Sequence, residues 1–291
     1  VTALADVRRY VLEVAQGLDP GSRYVSELLA VIDASTDLAD YDARISDPER
    51  AAAYRLDGAG VSDGGRGLSW LDDETWAGMD IFERTLANLV TAETRMMFRF
   101  EPRDLALLEP SFREVSRGGG PSILCVPCST GKEVFSYAIL ALRAGLEGVR
   151  VQGVDRQRAY VERARTGKLV YHWRDREFED ADRFLEARGP REAIVREAVL
   201  ARCSFETGDL LAGALPAGPF DLVACRNLLG YFRGEALVRA ISNLDARTRQ
   251  GGLLLLDPFV LDDPALALAP RWLAARGYRR VDPRASFLAK P

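Results

Sequence analysis

From Cys128 to Glu133 the chain reads Cys-Ser-Thr-Gly-Lys-Glu, directly after the apolar run Ile123-Leu-Cys-Val-Pro127. A strand, a tight turn at Ser129-Thr130-Gly131 and a helix opening with Glu133 together bring bare backbone up to a nucleotide-like ligand in α/β sheets. Gly131 reaches conformations closed to other residues and leaves room for a ligand against the main chain. The first helical N–H groups can meet a carboxylate or another anion. The spacing is not the GxGxxG of a dinucleotide fold. Nor is it a P-loop, because Gly131-Lys132 is followed by Glu133 rather than Ser or Thr.

Three further places carry candidate chemistry. Asp155 follows the run Val149–Val154, where a carboxylate can accept both ribose hydroxyls of an adenosine or simply cap the next helix. In Phe205-Glu-Thr-Gly-Asp-Leu-Leu211, Asp209 can reach the exocyclic amine of an adenine and Leu210 can cover its ring; a plain turn is the alternative. Asn227 and Tyr231 follow the run Phe220–Cys225 and stand four apart, so a helical turn would set both on one face at the carboxyl edge of a sheet. His172 is the only histidine, so a His-based catalytic pair would have to use it and no metal centre is expected. Cys125 and Cys128 form C-x-x-C, but no second Cys/His pair follows at zinc spacing.

The elements that must position these residues alternate from Ile123 onward. The pattern predicts strand 123–127, helix 132–145, strand 149–154, helix 157–166, strand 202–206, strand 220–225, helix 234–247, strand 252–257 and strand 285–289. Strand alternating with helix implies an α/β fold with a parallel sheet covered on both faces. Between them, 168–201 reads as a small charged insert, with a helix over 179–187, a strand over 193–199 and a turn at Arg188-Gly-Pro190. Upstream, helical spacing appears over 4–17, 22–34, 72–90 and 102–115, separated by a Gly/Ser/Asp-rich stretch over 57–73. Residues 1–120 hold 13 Arg against 22 Asp and Glu, a net −9, and the remainder carries +5. With Gly118-Gly-Gly120 this supports a division into a helical domain and linker over 1–117 and an α/β domain over 118–291.

Taken together, these residues resemble the CheR family, which methylates glutamate side chains of chemotaxis receptors using S-adenosylmethionine (SAM). The family's glycine turn, CSTGEE-[VP]-[YF]-S, is matched by Cys128–Ser136 with Lys132 in place of Glu. Its CRN-x-x-x-YF run is matched by Cys225–Phe232, its acidic residue by Asp155 before Glu162–Gly167, and its Asn-Leu-Leu turn by Asp209–Leu211. The resemblance, over about residues 80–291, implies a Rossmann-like class I methyltransferase domain that binds SAM and releases S-adenosylhomocysteine. It also implies that Thr91-Ala-Glu-Thr-Arg-Met-Met-Phe-Arg99 occupies the place of the family's T-x-N-x-T-x-F-F-R segment. Arg99 would then hold a substrate carboxylate and Tyr231 orient it, with Glu93 near the cofactor's ammonium. The implied cofactor set is Glu93, Ser129, Thr130, Gly131, Glu133, Asp155, Asp209, Leu210 and Asn227.

The departures bear on the acceptor. An acidic N-terminal region is a poor match for the acidic receptor stalk that the family's basic helix docks on. The family's Gly-His-Ser-Glu is replaced by Asp257-Pro-Phe-Val260, which reads as a loss of polar groups near the site. A carboxylate acceptor is expected, on a protein or a small molecule; the alternative is a non-catalytic module that binds SAM or its product. The net charge of −4 and the missing Asn-Pro-Pro-Tyr motif argue against a nucleic-acid substrate. The chain opens on no signal-peptide pattern and holds no apolar run long enough to span a bilayer, so a cytoplasmic protein is expected.

Overall fold

The computed structural model describes residues 3–15, 23–46, 78–89, 97–98, 102–115, 120–170, 180–188, 192–282 and 285–291. The chain separates into two compact units, Val1–Glu93 and Thr94–Pro291. That division falls before the helix Pro102–Val115, so this helix belongs with the α/β unit, whereas the glycine run at 118–120 suggests a boundary after it. The packing of Leu108 and Phe112 into the sheet's core is the reason.

The first unit contains α1 (Leu4–Ala15), α2 (Arg23–Ala34), α3 (Leu38–Ser46) and α4 (Ile81–Leu89). Val7 and Val11 of α1 recur at helical spacing and meet Leu28, Val31 and Ile32 of α2 and Tyr41 and Ile45 of α3. The Tyr41 hydroxyl and Thr85 Oγ1, both buried, lie 2.9 Å apart and share a hydrogen bond. Helical spacing predicts one helix over 72–90, but α4 starts at Ile81. Asp80 and Glu83 form a reciprocal cap there: the Glu83 N–H donates to Asp80 Oδ1 at 2.8 Å and the Asp80 N–H to Glu83 Oε2 at 2.9 Å. Residues 72–77 and 90 of that span lie outside the described residues.

The second unit opens with α5 (Pro102–Val115) and alternates from there: β1 (Ser122–Cys125), α6 (Lys132–Arg143), β2 (Arg150–Asp155), α7 (Arg158–Arg165). An insert holds β3 (Lys168–Val170), α8 (Ala181–Phe184), β4 (Leu185–Ala187), β5 (Glu192–Val195) and α9 (Glu197–Leu200). After it come β6 (Cys203–Thr207), β7 (Phe220–Cys225), α10 (Gly234–Arg247), β8 (Thr248–Leu256), α11 (Pro258–Asp262), α12 (Leu268–Ala275), β9 (Arg279–Arg280) and β10 (Phe287–Ala289). The seven-stranded sheet runs β6-β2-β1-β7-β8-β10-β9. Its first five strands are parallel, and β10 lies antiparallel to both β8 and β9. This is a Rossmann-like sheet, as the resemblance implies.

The strands are apolar on both faces because helices cover both. Ile123, Leu222, Leu253 and Leu255 face one core with Val134 and Ala138 of α6, while Leu124, Val223, Leu254 and Leu256 face another with Leu237 and Ile241 of α10. Chain order reverses between β1 and β7, so the crevice lies outside their carboxyl ends. The insert folds as a three-stranded antiparallel sheet, β3-β5-β4. Its predicted helix over 179–187 is cut short after Phe184, because Leu185–Ala187 pairs with β5. The predicted strand over 193–199 likewise gives way after Val195 to α9. The Arg188 N–H closes that hairpin onto the Glu192 carbonyl at 2.9 Å.

Candidate functional site

The glycine turn is held by its own backbone and by one acid. The Cys128 N–H donates to the Val154 carbonyl at 2.8 Å, which ties the turn to the end of β2. Ser129 (φ +48°) and Gly131 (φ +89°) both take left-handed conformations, and Gly131 caps α6. A side chain at Gly131 would put its Cβ 2.8 Å from the Phe135 ring and 3.0 Å from Ala164 Cβ. The space that a Cβ would take at this glycine is therefore filled by the protein itself. Ser129, Thr130 and Glu133 are buried around it.

Asp155, 6% exposed, joins this turn to the start of α7. Its Oδ2 accepts the Ser129 N–H at 2.8 Å and its Oδ1 the Gln157 N–H at 2.9 Å. Burial pushes its carboxyl up to about 6, against the pull of the Gln157, Ser129 and Arg156 N–H groups. A carboxylate oxygen can accept more than one bond, so these contacts leave acceptor capacity on both oxygens.

On the same side, Asp209 makes a local turn. Its Oδ1 accepts the Leu211 and Ala212 N–H groups at 2.8 and 3.2 Å, and its Oδ2 lies 3.4 Å from Arg156 Nε. Leu210 is buried in the core beside Val154, and its carbonyl accepts Asn243 Nδ2 at 2.7 Å. These contacts make a turn at Asp209 and place Leu210 in the core.

Asn227 and Tyr231 do not share a helical face. Asn227 takes a left-handed conformation (φ +56°), and Leu229–Tyr231 then forms a 3-10 turn, so the four-residue spacing does not stack them. Tyr231 is 37% exposed at the rim. The Phe259 ring, itself 43% exposed, lies against Gly230, where an added Cβ would come within 2.7 Å of it.

Between the two sides is a buried charge junction that sequence reasoning missed. Arg226, with 10% of its side chain exposed, places Nε 3.4 Å from Asp257 Oδ1 and Nη1 4.0 Å from Glu133 Oε1. Glu133 Oε1 accepts the Tyr137 hydroxyl at 2.9 Å, and Asp257 Oδ2 accepts the Asn227 N–H. The Asp257–Val260 segment thus supplies a buried carboxylate rather than only losing polar groups. The signal for Arg226 lay in the Cys225-Arg-Asn227 run, but its pairing across strand ends is tertiary.

Glu93 and Arg99 lie outside the described residues. Just before Arg99, Phe98 donates its N–H to Ser136 Oγ at 2.9 Å, and Met97 is buried in the core, which anchors the approach to α6. All four cysteines are free. Burial pushes the thiols of Cys125, Cys128 and Cys225 well above their ordinary range, and Cys203 up to about 12, so none is a ready thiolate. Among the described residues no cluster of His, Cys, Asp or Glu could hold a metal ion, and no helix is long and apolar enough to cross a membrane.

The arrangement fits S-adenosylmethionine. It offers the positive end of α6 after Gly131, a buried acid at Asp155 with acceptor capacity left, and charged groups of both signs at the switch point.

Comparison with known proteins bears on the same residues. The family described as CheR methyltransferase, SAM binding domain, matches residues 90–257. A probable biofilm formation methyltransferase, WspC, of Pseudomonas aeruginosa is 31% identical over 228 residues, covering 72% of this chain and 50% of that protein. A chemotaxis protein methyltransferase of Klebsiella aerogenes is 33% identical over 180 residues, covering 57% of this chain and 59% of that one. The chain thus spans roughly half the length of the relatives it matches. Among solved structures, a SAM-dependent methyltransferase of Thiobacillus denitrificans in complex with S-adenosylhomocysteine is 18% identical, with a TM-score of 0.36, covering 65% of this chain and 68% of that one. With more than half of its residues matched by the family model, the chain belongs to the CheR methyltransferase family.

Proposed function

We propose that this protein is a SAM-dependent O-methyltransferase whose acceptor is a carboxylate, on a glutamate side chain or a small acid, and that it works in the cytoplasm. The observation that carries the reading is Asp155, buried at the end of β2 and bonded to the glycine turn beside the switch point. When bound, SAM supplies an electrophilic methyl group; the chain's residues bind, orient and exclude water. Asp155 takes the ribose hydroxyls, and the α6 start with Glu133, Arg226 and Asn227 takes the amino-acid end. Arg99 holds the acceptor carboxylate and Tyr231 orients it from the rim. A carboxylate is already ionised at neutral pH, so no base is needed, which accords with a chain that has one histidine.

In this reading α5 belongs to the SAM-binding domain, an N-terminal helical domain lies upstream, and 168–201 is the insert that meets the acceptor. Incubation with methyl-labelled SAM and either a protein extract or small carboxylic acids tests the reaction. Alkali-labile label, the mark of a methyl ester, is the expected product. Alkali-stable label would contradict a carboxylate acceptor, and binding without transfer to any acceptor would favour a regulatory module.

A further inference from the structure

The connection from β6 to β7 has no ladder or helix of its own, yet its backbone is bonded at both ends. The Gly208 N–H donates to the Asp155 carbonyl at 3.0 Å, so the loop leaves the sheet tied to the residue read above as the ribose acid. It then closes on itself: the Asp209 N–H donates to the Ala214 carbonyl at 3.1 Å, and the Ala214 N–H to the Asp209 carbonyl at 3.0 Å. Gly208 permits that closure, because a Cβ there would run into the Ala214 carbonyl oxygen. The remaining carbonyls are taken by α10, where Asn243 and Arg247 stand four apart on one face. Asn243 Nδ2 donates to the Leu210 carbonyl at 2.7 Å. Arg247 Nε donates to the Pro216 carbonyl at 2.8 Å, and its Nη2 to those of Gly213 and Leu215 at 3.3 and 3.4 Å. Water could satisfy such carbonyls singly, but a planar guanidinium shared by three of them also fixes their mutual geometry.

We propose that Asn243 and Arg247 are positioning residues that act through the 208–216 loop to set the wall against which the base of SAM is bound. The inference rests on the SAM reading above. There the amino-acid end lies at the α6 start and Arg226, and the ribose on Asp155 of β2. The base then falls toward the next strand outward, β6, and meets its exit loop. A loop fixed before the ligand arrives has little freedom left to lose on binding, so base contacts are made without an ordering cost.

Calorimetric titration of the full chain with S-adenosylhomocysteine and with S-ribosylhomocysteine tests this, because the second probe keeps the ribose and amino-acid end but lacks the base. The wild type should bind the adenosyl probe more tightly. Arg247→Met should weaken that probe about tenfold and leave the ribosyl probe within about twofold. Arg247→Lys, which keeps a donor, should recover part of the loss. Asn243→Asp sets an acceptor against the Leu210 carbonyl and should lose base affinity in the same way, which keeps the test open if Arg247→Met fails to fold. Equal losses for the two probes, or none, overturn the proposal, since a merely structural role does not tell base from ribose; so does a wild type that binds both probes alike. Hydrogen exchange over residues 208–216 reads the fastening without ligand: it should quicken in both Arg247→Met and Asn243→Asp, and unchanged protection overturns it. A wild type that binds neither probe defeats the SAM reading, while exchange still decides the fastening.

Discussion

On the β2–β6 side of the crevice the polar side chains are engaged largely by backbone. Asp155 accepts the Ser129 and Gln157 N–H groups, and Asp209 accepts those of Leu211 and Ala212. On the β7–β8 side the polar side chains engage one another, with Arg226 between Glu133 and Asp257. The first kind of order loses one or two hydrogen bonds when a side chain is removed. The second leaves a buried charge without its counterpart, which costs more than the pair contributes. One edge should therefore respond to mutation mainly through ligand affinity, the other through folding.

Arg226→Ala breaks the charge junction most severely, removing the guanidinium that two buried carboxylates share. We expect a loss of about 3–5 kcal/mol, read as a lower denaturant midpoint with an unchanged slope. A loss under about 1 kcal/mol would put the junction in solvent-like surroundings and erase the contrast. Asp155→Ala should act on affinity, weakening S-adenosylhomocysteine about 100-fold through two lost charge-assisted bonds.

The pH response sharpens the same side. The Asp155 carboxyl titrates at about 6 in the free fold, against an ordinary 3.8, so the folded state holds this proton more tightly than the unfolded chain. The resulting stability is full below about pH 4 and is lost as pH rises through 6; it amounts to about 3 kcal/mol. Ligand binding runs the other way, because ribose hydroxyls need the ionised acceptor. Affinity should fall about tenfold per pH unit below 6, and Asp155→Asn should flatten both profiles. At the rim, Tyr231→Phe should slow methyl transfer about tenfold at unchanged S-adenosylhomocysteine affinity. The smallest effect belongs to Asp209→Asn, about twofold or less on binding, because an amide oxygen still accepts the Leu211 N–H.

What could be read from sequence follows the same physical lines. Phe220–Cys225 and Gly234–Arg247 match their predicted bounds, because a doubly covered strand and an amphipathic helix write their periods into the chain. The helix over 38–46 went unread although its start was marked: Asp37 Oδ1 accepts the Asp40 N–H and Asp40 Oδ2 the Thr36 N–H. In the insert, Phe184-Leu185 suits a helix or a strand equally, and only pairing with β5 decides. Between the predicted strands 252–257 and 285–289 the chain also forms α11, α12 and the two-residue β9, which the sequence reading does not include. Asp155 was legible because strand exits are local. Arg226 with Asp257 was not, because nothing local joins residue 226 to residue 257.

The central claim, an adenosine site built on Asp155, is tested most directly by calorimetric titration of the full chain with S-adenosylhomocysteine at neutral pH, alongside Asp155→Ala. The account predicts saturable micromolar binding to the wild type and none detectable in the variant at the same concentrations. No heat of binding in the wild type, or equal affinity in both proteins, would contradict it.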